Sequence, residues 1–139
     1  MIIHKVPPLV CGLCGGSSFI KEIVANSIHE FRQGYGNSIE IVIEDKVASI
    51  RDYGRGIPLK HLADAVGKIN MGGIGSKYHI PQRIIYGLKG INILSSEFMA
   101  RSVCDGETRT VCFERGIMRD DLWETGVEET NGTFIQFRA

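Results

Sequence analysis

Apolar and polar residues alternate most clearly just before the middle of the chain. Isoleucine occupies every second position from Ile39 to Ile43, and a second run, residues 47–50, follows a polar break at Asp45 and Lys46. Alternation with a period of two is typical of strands that bury one face, and a short polar break between two such runs favours a turn. These residues therefore predict a β-hairpin that turns at Asp45 and Lys46.

Apolar residues at helical spacing predict helices on either side of this hairpin. Residues 19–32 follow two serines that can cap a helix, and residues 60–70 carry apolar side chains on one side. A further short helix is expected to begin after Gly90 and to end near Ser96. The buried side of the first helix is expected to contain Phe19, Ile20, Ile23, Val24, Ile28 and Phe31.

The last third of the chain predicts further strands. Residues 98–103 and 107–113 flank an Asp-Gly pair, which predicts a second hairpin. Residues 115–129 are expected to be irregular, with Trp123 covering the edge of the core. Residues 132–137 are expected to form a closing strand, so that strands lie on both sides of the irregular segment.

The composition indicates one ordinary globular domain. The chain has 139 residues, of which 43% are hydrophobic and 23% charged, enough to bury a core. Residues 1–17 contain Pro7, Pro8 and several glycines and are expected to be an irregular N-terminal segment. Residues 18–139 are expected to form a single domain.

Charge and hydropathy argue against two kinds of binding surface. The 16 basic and 16 acidic residues give a formal net charge of zero, so the chain alone is not expected to bind DNA. No apolar run approaches the length of a membrane span, so no membrane association is expected, and the first residues lack the layout of a secretion signal. The expected location is the cytoplasm.

The four cysteines are weak evidence for a zinc site. Cys11 and Cys14 have the spacing of half a site. In the predicted second hairpin, Cys104 and Cys112 fall on opposite faces of the sheet, because their pairing positions differ by an odd number of residues. We therefore expect thiols in a reducing compartment rather than metal ligands.

The first hairpin ends in a pattern that can recognise a purine. Asp52 closes the second strand and is followed by Gly54 and Gly56 in the motif Asp-x-Gly-x-Gly, which Ile57 and Pro58 continue. Glycine lets a flat ligand approach the backbone, and a carboxylate accepts a hydrogen bond from an exocyclic amine such as that of adenine. The alternative interpretation is a strand that ends in an ordinary glycine turn.

Two further patterns are candidates for phosphate chemistry. Glu22 and Asn26 lie one turn apart on the first helix, where a carboxylate can take a proton from water and an amide oxygen can bind magnesium; a solvated helix face is the alternative. Two glycine-rich clusters, residues 71–77 and 86–92, can form a lid, with the helix after Gly90 presenting its N–H groups to phosphate. Two ordinary surface loops are the alternative.

Together these patterns resemble the GHKL ATPase superfamily, most closely the ATPase domain of the B subunits of bacterial type II DNA topoisomerases. The first predicted helix, residues 51–58, residues 86–92 and the closing strand from Gly132 occur in the order typical of that family. The resemblance covers residues 18–139 and implies a GHKL-type nucleotide-binding domain. Its fold is an α/β (α+β) two-layer sandwich in which a mixed, mostly antiparallel sheet carries helices on one face.

The resemblance implies ATP and Mg²⁺ as cofactors and assigns roles to single residues. Glu22 is expected to be the catalytic base that activates water, and Asn26 the magnesium ligand. Asp52 is expected to bind the adenine amino group, with Thr133 supporting it through water. The other expected nucleotide contacts are Gly56 beside the base, Arg55, Ile57 and Pro58 at the mouth of the pocket, and Gly87, Lys89 and Gly90 over the phosphates.

Several positions depart from the family pattern. Ala25 stands where an acidic residue is usual, Lys89 replaces the histidine of the lid motif, and Asn92 replaces its last glycine. In the family a second domain brings a lysine to the γ-phosphate and another subunit cuts DNA. We therefore expect slow or partner-dependent ATP hydrolysis, with a second protein chain supplying the topoisomerase functions. The alternatives are a degenerate nucleotide-binding or protein-interaction module without ATPase activity, and the catalytic domain of a histidine kinase, which shares the fold.

Overall fold

The computed structural model describes residues 16–36, 38–67 and 82–138. Within these ranges there are three α-helices, and a 3-10 turn, Leu59–His61, precedes the second of them. None of the described helices is both long enough and apolar enough to cross a membrane. The helices and strands follow the order α1 (Gly16–Arg32), β1 (Ile39–Glu44), β2 (Val47–Asp52), α2 (Leu62–Gly67), α3 (Gln82–Leu94), β3 (Glu97–Cys104), β4 (Glu107–Glu114), β5 (Ile117–Thr125) and β6 (Gly132–Arg138).

The six described strands form one sheet in the order β1-β2-β6-β3-β4-β5. Every pair of neighbouring strands is antiparallel, and the last strand, β6, lies between β2 and β3. The predicted two-layer α+β architecture is confirmed. The sheet is antiparallel throughout the described strands rather than mixed, because hairpins connect β1 to β2 and β3 to β4, and β6 inserts antiparallel to both of its neighbours.

Both predicted hairpins are confirmed. Asp45 and Lys46 turn with positive φ angles of 48° and 67°, the left-handed conformation of a tight two-residue turn. Asp105 and Gly106 turn in the same way, with φ angles of 50° and 81°. Asp45, Asp105 and Gly106 are of residue types that tolerate this conformation, which explains why both turns could be predicted from the sequence; Lys46 is not of such a type.

The two thiols of the second hairpin lie on opposite faces of the sheet, as predicted. Cys104 is paired with Glu107, and Cys112 is paired with Met99. Both thiols are free and half-buried. The other two cysteines, like most of the predicted N-terminal segment, lie outside the described residues.

The core lies between the helices and one face of the sheet. Ile23 from α1, Leu62 from α2 and Ile91 from α3 belong to one buried cluster with the inward side chains of the strands. Burying a large apolar side chain contributes about 1.5–3 kcal/mol, so this cluster fixes the helices relative to the strand ends. The largest fully buried apolar side chains are Phe98, Phe137, Ile39, Ile50 and Leu62.

Two helix boundaries differ from the prediction. Helix α1 begins at Gly16, so the two serines expected to cap it lie inside the helix. Helix α3 begins at Gln82 rather than after Gly90, so Gly87 and Gly90 lie within it. Glycine lowers helix propensity by only about 1 kcal/mol, and the packing of Leu88 and Ile91 in the core outweighs that cost.

The segment that was expected to be irregular forms strand β5 at the edge of the sheet. All nine of its residues are exposed, so it lacks the alternation that marks a half-buried strand. Beyond its pairing with β4, it is held by Arg109, which donates to the Asp121 carboxylate over 2.7 and 2.8 Å. The same guanidinium lies 4.5 Å from the ring centre of Trp123, which is 53% exposed and does not cover the core.

Candidate functional site

Helix α1 turns two adjacent polar side chains toward the interior. Asn26 is 8% exposed and Ser27 is 1% exposed. Burying an amide or a hydroxyl is unfavourable unless it finds a hydrogen-bonding partner, so the surroundings of these two residues decide their role. They are carried inward by the apolar side of the helix, formed by Ile23 and, less deeply buried, Ile20, Val24 and Phe31.

Asp52 lies at the end of β2 and joins the helix layer to the sheet. Its Oδ2 accepts a hydrogen bond from the Ser27 hydroxyl at 2.9 Å. Its Oδ1 accepts two more from the backbone N–H groups of Gly54 and Thr133, both at 3.1 Å. The Thr133 amide reaches the carboxylate because β6 lies beside β2, and the water-mediated support expected from the sequence stays a prediction.

The surroundings of the Asp52 carboxyl shift its pKa. Burial raises its pKa above the usual value, and the nearby charge of Glu30 adds to this effect. The hydrogen bonds from Gly54, Ser27 and Thr133 stabilise the charged form and partly offset the burial. A buried carboxyl with a perturbed pKa and an organised set of donors is a strong candidate for a functional group.

Asn26 is the second candidate, because its buried side chain lacks, within the described part of the chain, the hydrogen bonds that Asp52 has. Neither its Oδ1 nor its Nδ2 has a hydrogen-bonding partner among the described residues. Leaving a buried polar group unpaired costs about 1–3 kcal/mol, so the position suits a ligand that supplies the missing partner. An amide oxygen matches the preference of Mg²⁺ for oxygen ligands. Within residues 16–36, 38–67 and 82–138, no three His, Cys, Asp or Glu side chains form a cluster that can hold a metal ion.

Arg55 is held against α1 by two contacts. Its Nη2 forms an ion pair with Glu30 Oε2 at 2.8 Å, and its backbone N–H donates to Oε1 of the same carboxylate at 3.2 Å. Its guanidinium also lies 4.3 Å from the ring centre of Tyr35. Glu30 therefore fixes the chain after β2, a role that the sequence stripe of Glu22, Asn26 and Glu30 did not reveal.

Gly56 is required by the fold itself. Its φ is +80°, and a Cβ there would lie 2.7 Å from the Val103 carbonyl oxygen and 2.9 Å from Ser102 Oγ. Ser102 also donates to the Ile57 carbonyl at 2.6 Å, which ties this loop to β3. From the sequence, this glycine was predicted to let a base approach the backbone, and that contact stays a prediction. The observed need for glycine comes from the neighbouring strand, β3.

Two further connections hold the loop that follows Gly56. Pro58 precedes the 3-10 turn, and its carbonyl accepts from the His61 amide at 2.9 Å. Arg109 of β4 donates to the Leu59 carbonyl at 2.9 Å. The segment predicted to line the mouth of the pocket is therefore bonded to the sheet at several points.

The residues predicted to cover the phosphates lie within α3. Gly87, Lys89 and Gly90 are helical, so the helix N-terminus expected after Gly90 is absent from that position. Lys89 is 2% exposed; burial lowers the pKa of its ammonium group, while the charge of Asp64 on α2 opposes this. Their contact with phosphate stays a prediction.

Asn92 replaces a glycine of the family's lid motif and has a structural function here. It is 1% exposed, and its Nδ2 donates to the Val66 carbonyl near the end of α2 at 2.9 Å. This bond joins α3 to α2 and occupies one of the carbonyl groups that a helix end leaves unpaired.

Two of the predicted regions lie partly or wholly outside the described residues. Glu22 lies on α1 one turn before Asn26, but its side chain is outside the described part of the chain. The first glycine cluster, residues 71–77, also lies outside it. The structure therefore brings Asp52, Arg55, Gly56, Ile57, Pro58 and Thr133 together at one end of the sheet and leaves the placement of the catalytic base as a prediction.

Sequence comparison identifies relatives of this chain. It is 40% identical over 126 residues to the B subunit of DNA topoisomerase 4 from Borreliella burgdorferi, a match that covers 86% of the chain and 20% of that protein. It is 31% identical over 153 aligned residues to the B subunit of DNA gyrase from Staphylococcus aureus, covering 99% of the chain and 24% of that protein. The chain is a homologue of the B subunits of bacterial topoisomerase IV and gyrase. The resemblance predicted from the sequence is thus confirmed, and this topoisomerase homologue spans about a fifth to a quarter of the length of these relatives.

Solved structures agree with the fold of the topoisomerase homologue. The 43K ATPase domain of Thermus thermophilus gyrase B, in complex with an aminocoumarin, matches with a TM-score of 0.72 at 21% identity, over 91% of the chain and 34% of that structure. The topoisomerase IV ATP-binding domain of Francisella tularensis, in complex with a small-molecule inhibitor, matches with a TM-score of 0.68 at 26% identity, over 88% of the chain and 62% of that structure. No family model matches the chain.

Proposed function

We propose that the topoisomerase homologue binds Mg-ATP between its helices and its sheet and hydrolyses it slowly or with the help of a partner. The observation that carries the proposal is the Asp52 carboxylate, organised by donors from both layers at the end of β2. The unpaired buried carboxamide of Asn26, one residue from the Ser27 donor, adds a second polar feature. The similarity to an ATP-binding domain of topoisomerase IV supports this choice of ligand.

Base recognition is assigned to the end of the sheet. Asp52 accepts a hydrogen bond from the 6-amino group of adenine, whereas guanine would present a carbonyl oxygen there and be repelled by the carboxylate. The Thr133 amide donates to the same carboxylate, and Gly56, which lies against Val103 and Ser102, is proposed to let the base approach. We assign Arg55, Ile57 and Pro58 to the mouth of the pocket.

Phosphate binding is assigned to the helices. The Asn26 carboxamide oxygen is proposed to bind Mg²⁺, which neutralises charge on the phosphates when it is present. Gly87, Lys89 and Gly90 are proposed to approach the phosphates from α3, with Lys89 acting as a point charge.

Hydrolysis is assigned to Glu22. Its carboxylate takes a proton from a water molecule, whose oxygen forms a bond to the γ-phosphorus while the bond to the β,γ-bridging oxygen breaks, giving ADP and phosphate. The position of Glu22 one turn before Asn26 supports this role. We further propose that a second protein chain supplies the topoisomerase functions and that this chain does not itself cut DNA.

A nucleotide-binding module without hydrolysis is the second candidate function. It is favoured by the helical state of the predicted lid and by the burial of Lys89, which is 2% exposed. Both candidates share the purine site at Asp52, so they differ only in phosphate release.

We expect ATP and ADP, but not GTP, to stabilise the protein against thermal unfolding. A ligand at about 100 times its dissociation constant stabilises the folded state by about 2.7 kcal/mol. Differential scanning calorimetry with each nucleotide, with and without magnesium, measures this effect. Equal stabilisation by GTP would contradict the base assignment, and no stabilisation by any of the nucleotides would contradict both candidate functions.

We expect the Glu22→Ala variant to bind ATP as the wild type does and to release phosphate roughly 100- to 10,000-fold more slowly, the usual contribution of a general base. A coupled phosphate assay and calorimetry with a non-hydrolysable ATP analogue separate the two effects. Glu44→Ala, which removes an exposed glutamate at the end of β1, is the matched control. If the wild type releases no phosphate above background, the module without hydrolysis is the better description.

A further inference from the structure

We propose that Ser27 is a positioning residue for base recognition, whose hydroxyl fixes the Asp52 carboxylate so that one acceptor position on Oδ2 is left for the ligand. The inference rests on the proposed function and deepens it. Sequence reasoning missed Ser27, although a small hydroxyl residue on the buried side of a helix, beside Asn26, is a recognisable signal.

The number of hydrogen bonds at Asp52 supports this role. An ionised carboxylate has about four acceptor positions, two on each oxygen. Gly54 and Thr133 donate to Oδ1, and Ser27 donates to Oδ2. Among the described contacts, one position on Oδ2 is therefore left, on the oxygen that the helix layer holds.

The Ser27 hydroxyl has a single hydrogen, and the distances show where it is directed. The Asp52 Oδ2 atom lies 2.9 Å from Oγ, while the Ile23 carbonyl oxygen, one turn earlier on α1, lies 3.5 Å away. The shorter bond to a charged acceptor is the stronger one. Since Ser27 is 1% exposed, little water can compete for this hydrogen.

The carboxylate is thus held from two layers. The sheet contributes the two backbone donors to Oδ1, and α1 contributes the donor to Oδ2. Without the Ser27 hydroxyl, only the two bonds to Oδ1, of those described, would oppose rotation of the carboxylate about its Cβ–Cγ bond. Base recognition depends on that plane, because hydrogen bonds weaken steeply away from linear geometry.

Ser27 also opposes protonation of Asp52. Charged groups around the carboxylate are Glu30 of α1, whose charge raises the pKa of Asp52 and which is paired with Arg55, and Arg51, which donates to the Asp52 backbone carbonyl at 2.9 Å. Removing the hydroxyl removes a hydrogen bond to the charged form, so the pKa must rise further. Because Oδ1 accepts two N–H groups, the proton would settle on Oδ2, where it removes the negative charge and competes with the ligand for that oxygen.

The test compares Ser27→Ala with Ser95→Ala. Ser95 is also a buried serine, 2% exposed, directly after the end of α3, but it donates to the Ile91 carbonyl of that helix at 2.6 Å, and no described hydrogen bond joins it to Asp52. Carbon-detected NMR follows the titration of the Asp52 carboxyl in the ligand-free protein, with Asp52→Asn for assignment. Calorimetry follows ADP affinity over the same pH range.

We expect Ser27→Ala to raise the Asp52 titration midpoint by about one pH unit, since removing the hydroxyl favours the protonated form. ADP binding should then weaken by up to about tenfold at pH values below the wild-type midpoint, where one pH unit is a tenfold difference in the ionised fraction, and the loss should shrink above the raised midpoint. Ser95→Ala should match the wild type in both measurements. Ser27→Cys nearly keeps the side-chain volume but has only a weak donor, so it should also raise the Asp52 midpoint. It replaces the alanine variant in the test if that variant does not fold.

Three results would overturn the inference or its premise. An unchanged Asp52 midpoint in both Ser27 variants would refute the coupling between hydroxyl and carboxylate. A raised midpoint with unchanged ADP affinity at every pH would refute the role in base recognition. A wild-type protein that binds no adenine nucleotide would refute the proposed function and the ligand part of this inference, while the NMR titration would still decide the coupling.

Discussion

The Asp52→Asn variant is expected to bind adenine nucleotides roughly 10- to 150-fold more weakly than the wild type, since a hydrogen bond to a charged acceptor contributes about 1.5–3 kcal/mol. Loss of charge is only part of the reason. The amide oxygen of the asparagine must accept from the N–H groups of Gly54 and Thr133, so its NH₂ group takes the place of Oδ2. That NH₂ would then point a donor at the amino group of adenine.

Isothermal calorimetry with ADP measures this loss, and circular dichroism confirms that the variant is folded. Asp45→Asn is the matched control, because it makes the same change in the exposed turn of the same hairpin, where a φ of 48° suits asparagine equally well. Unchanged ADP affinity in the Asp52 variant would remove the adenine assignment together with the acceptor position on which it depends.

The Gly132→Ala variant is expected to lose more than about 4 kcal/mol of unfolding free energy, a loss confined to a few severe mechanisms. Gly132 has a φ of +151°, and a Cβ there would overlap the Asp52 carbonyl group, whose carbon would lie 3.0 Å away and whose oxygen would be closer still. This carbonyl is backbone at the end of β2, where Arg51 pairs with Phe134 of β6 and Asp52 with Ile39 of β1, and it cannot move aside without disturbing that pairing.

Urea denaturation measures the loss, with Gly126→Ala as the matched control. Gly126 also has a positive φ, +67°, but no heavy atom lies within 4 Å of the Cβ that alanine would add. Backbone strain alone should cost about 1–2 kcal/mol. Equal losses in the two variants would show that the overlap with Asp52 contributes nothing and that strain explains both.

Elements whose conformation depends on neighbouring residues in the chain could be predicted from the sequence. The turn at Asp45 and Lys46 was predictable because alternating isoleucines precede a polar break that begins with aspartate, a residue type that tolerates a left-handed backbone. The extent of α3 was not, because Gly87 and Gly90 argue against a helix locally, while the burial of Leu88 that outweighs them is a tertiary effect. Strand β5 was missed because an edge strand with both faces exposed leaves no period to detect.

In the candidate site, too, local features could be predicted from the sequence and long-range contacts could not. Asp52 could be found from the sequence because its motif is short and contiguous. The Ser27–Asp52 bond joins residues 25 positions apart, and the close approach of Gly56 to Val103 joins residues farther apart still. Such contacts depend on how α1, β2 and β3 are arranged, which a one-dimensional pattern does not specify.

The loop that follows β2 gives up its conformational freedom when the chain folds. Its carbonyl groups at Ile57 and Leu59 are already bonded to β3 and β4, and the Arg55 amide to α1. A molecule that docks against this loop therefore immobilises few additional backbone torsions, and the entropic penalty of association falls mainly on the molecule itself. Rigid ligands are consequently favoured at this edge of the sheet, because they have little internal entropy to lose.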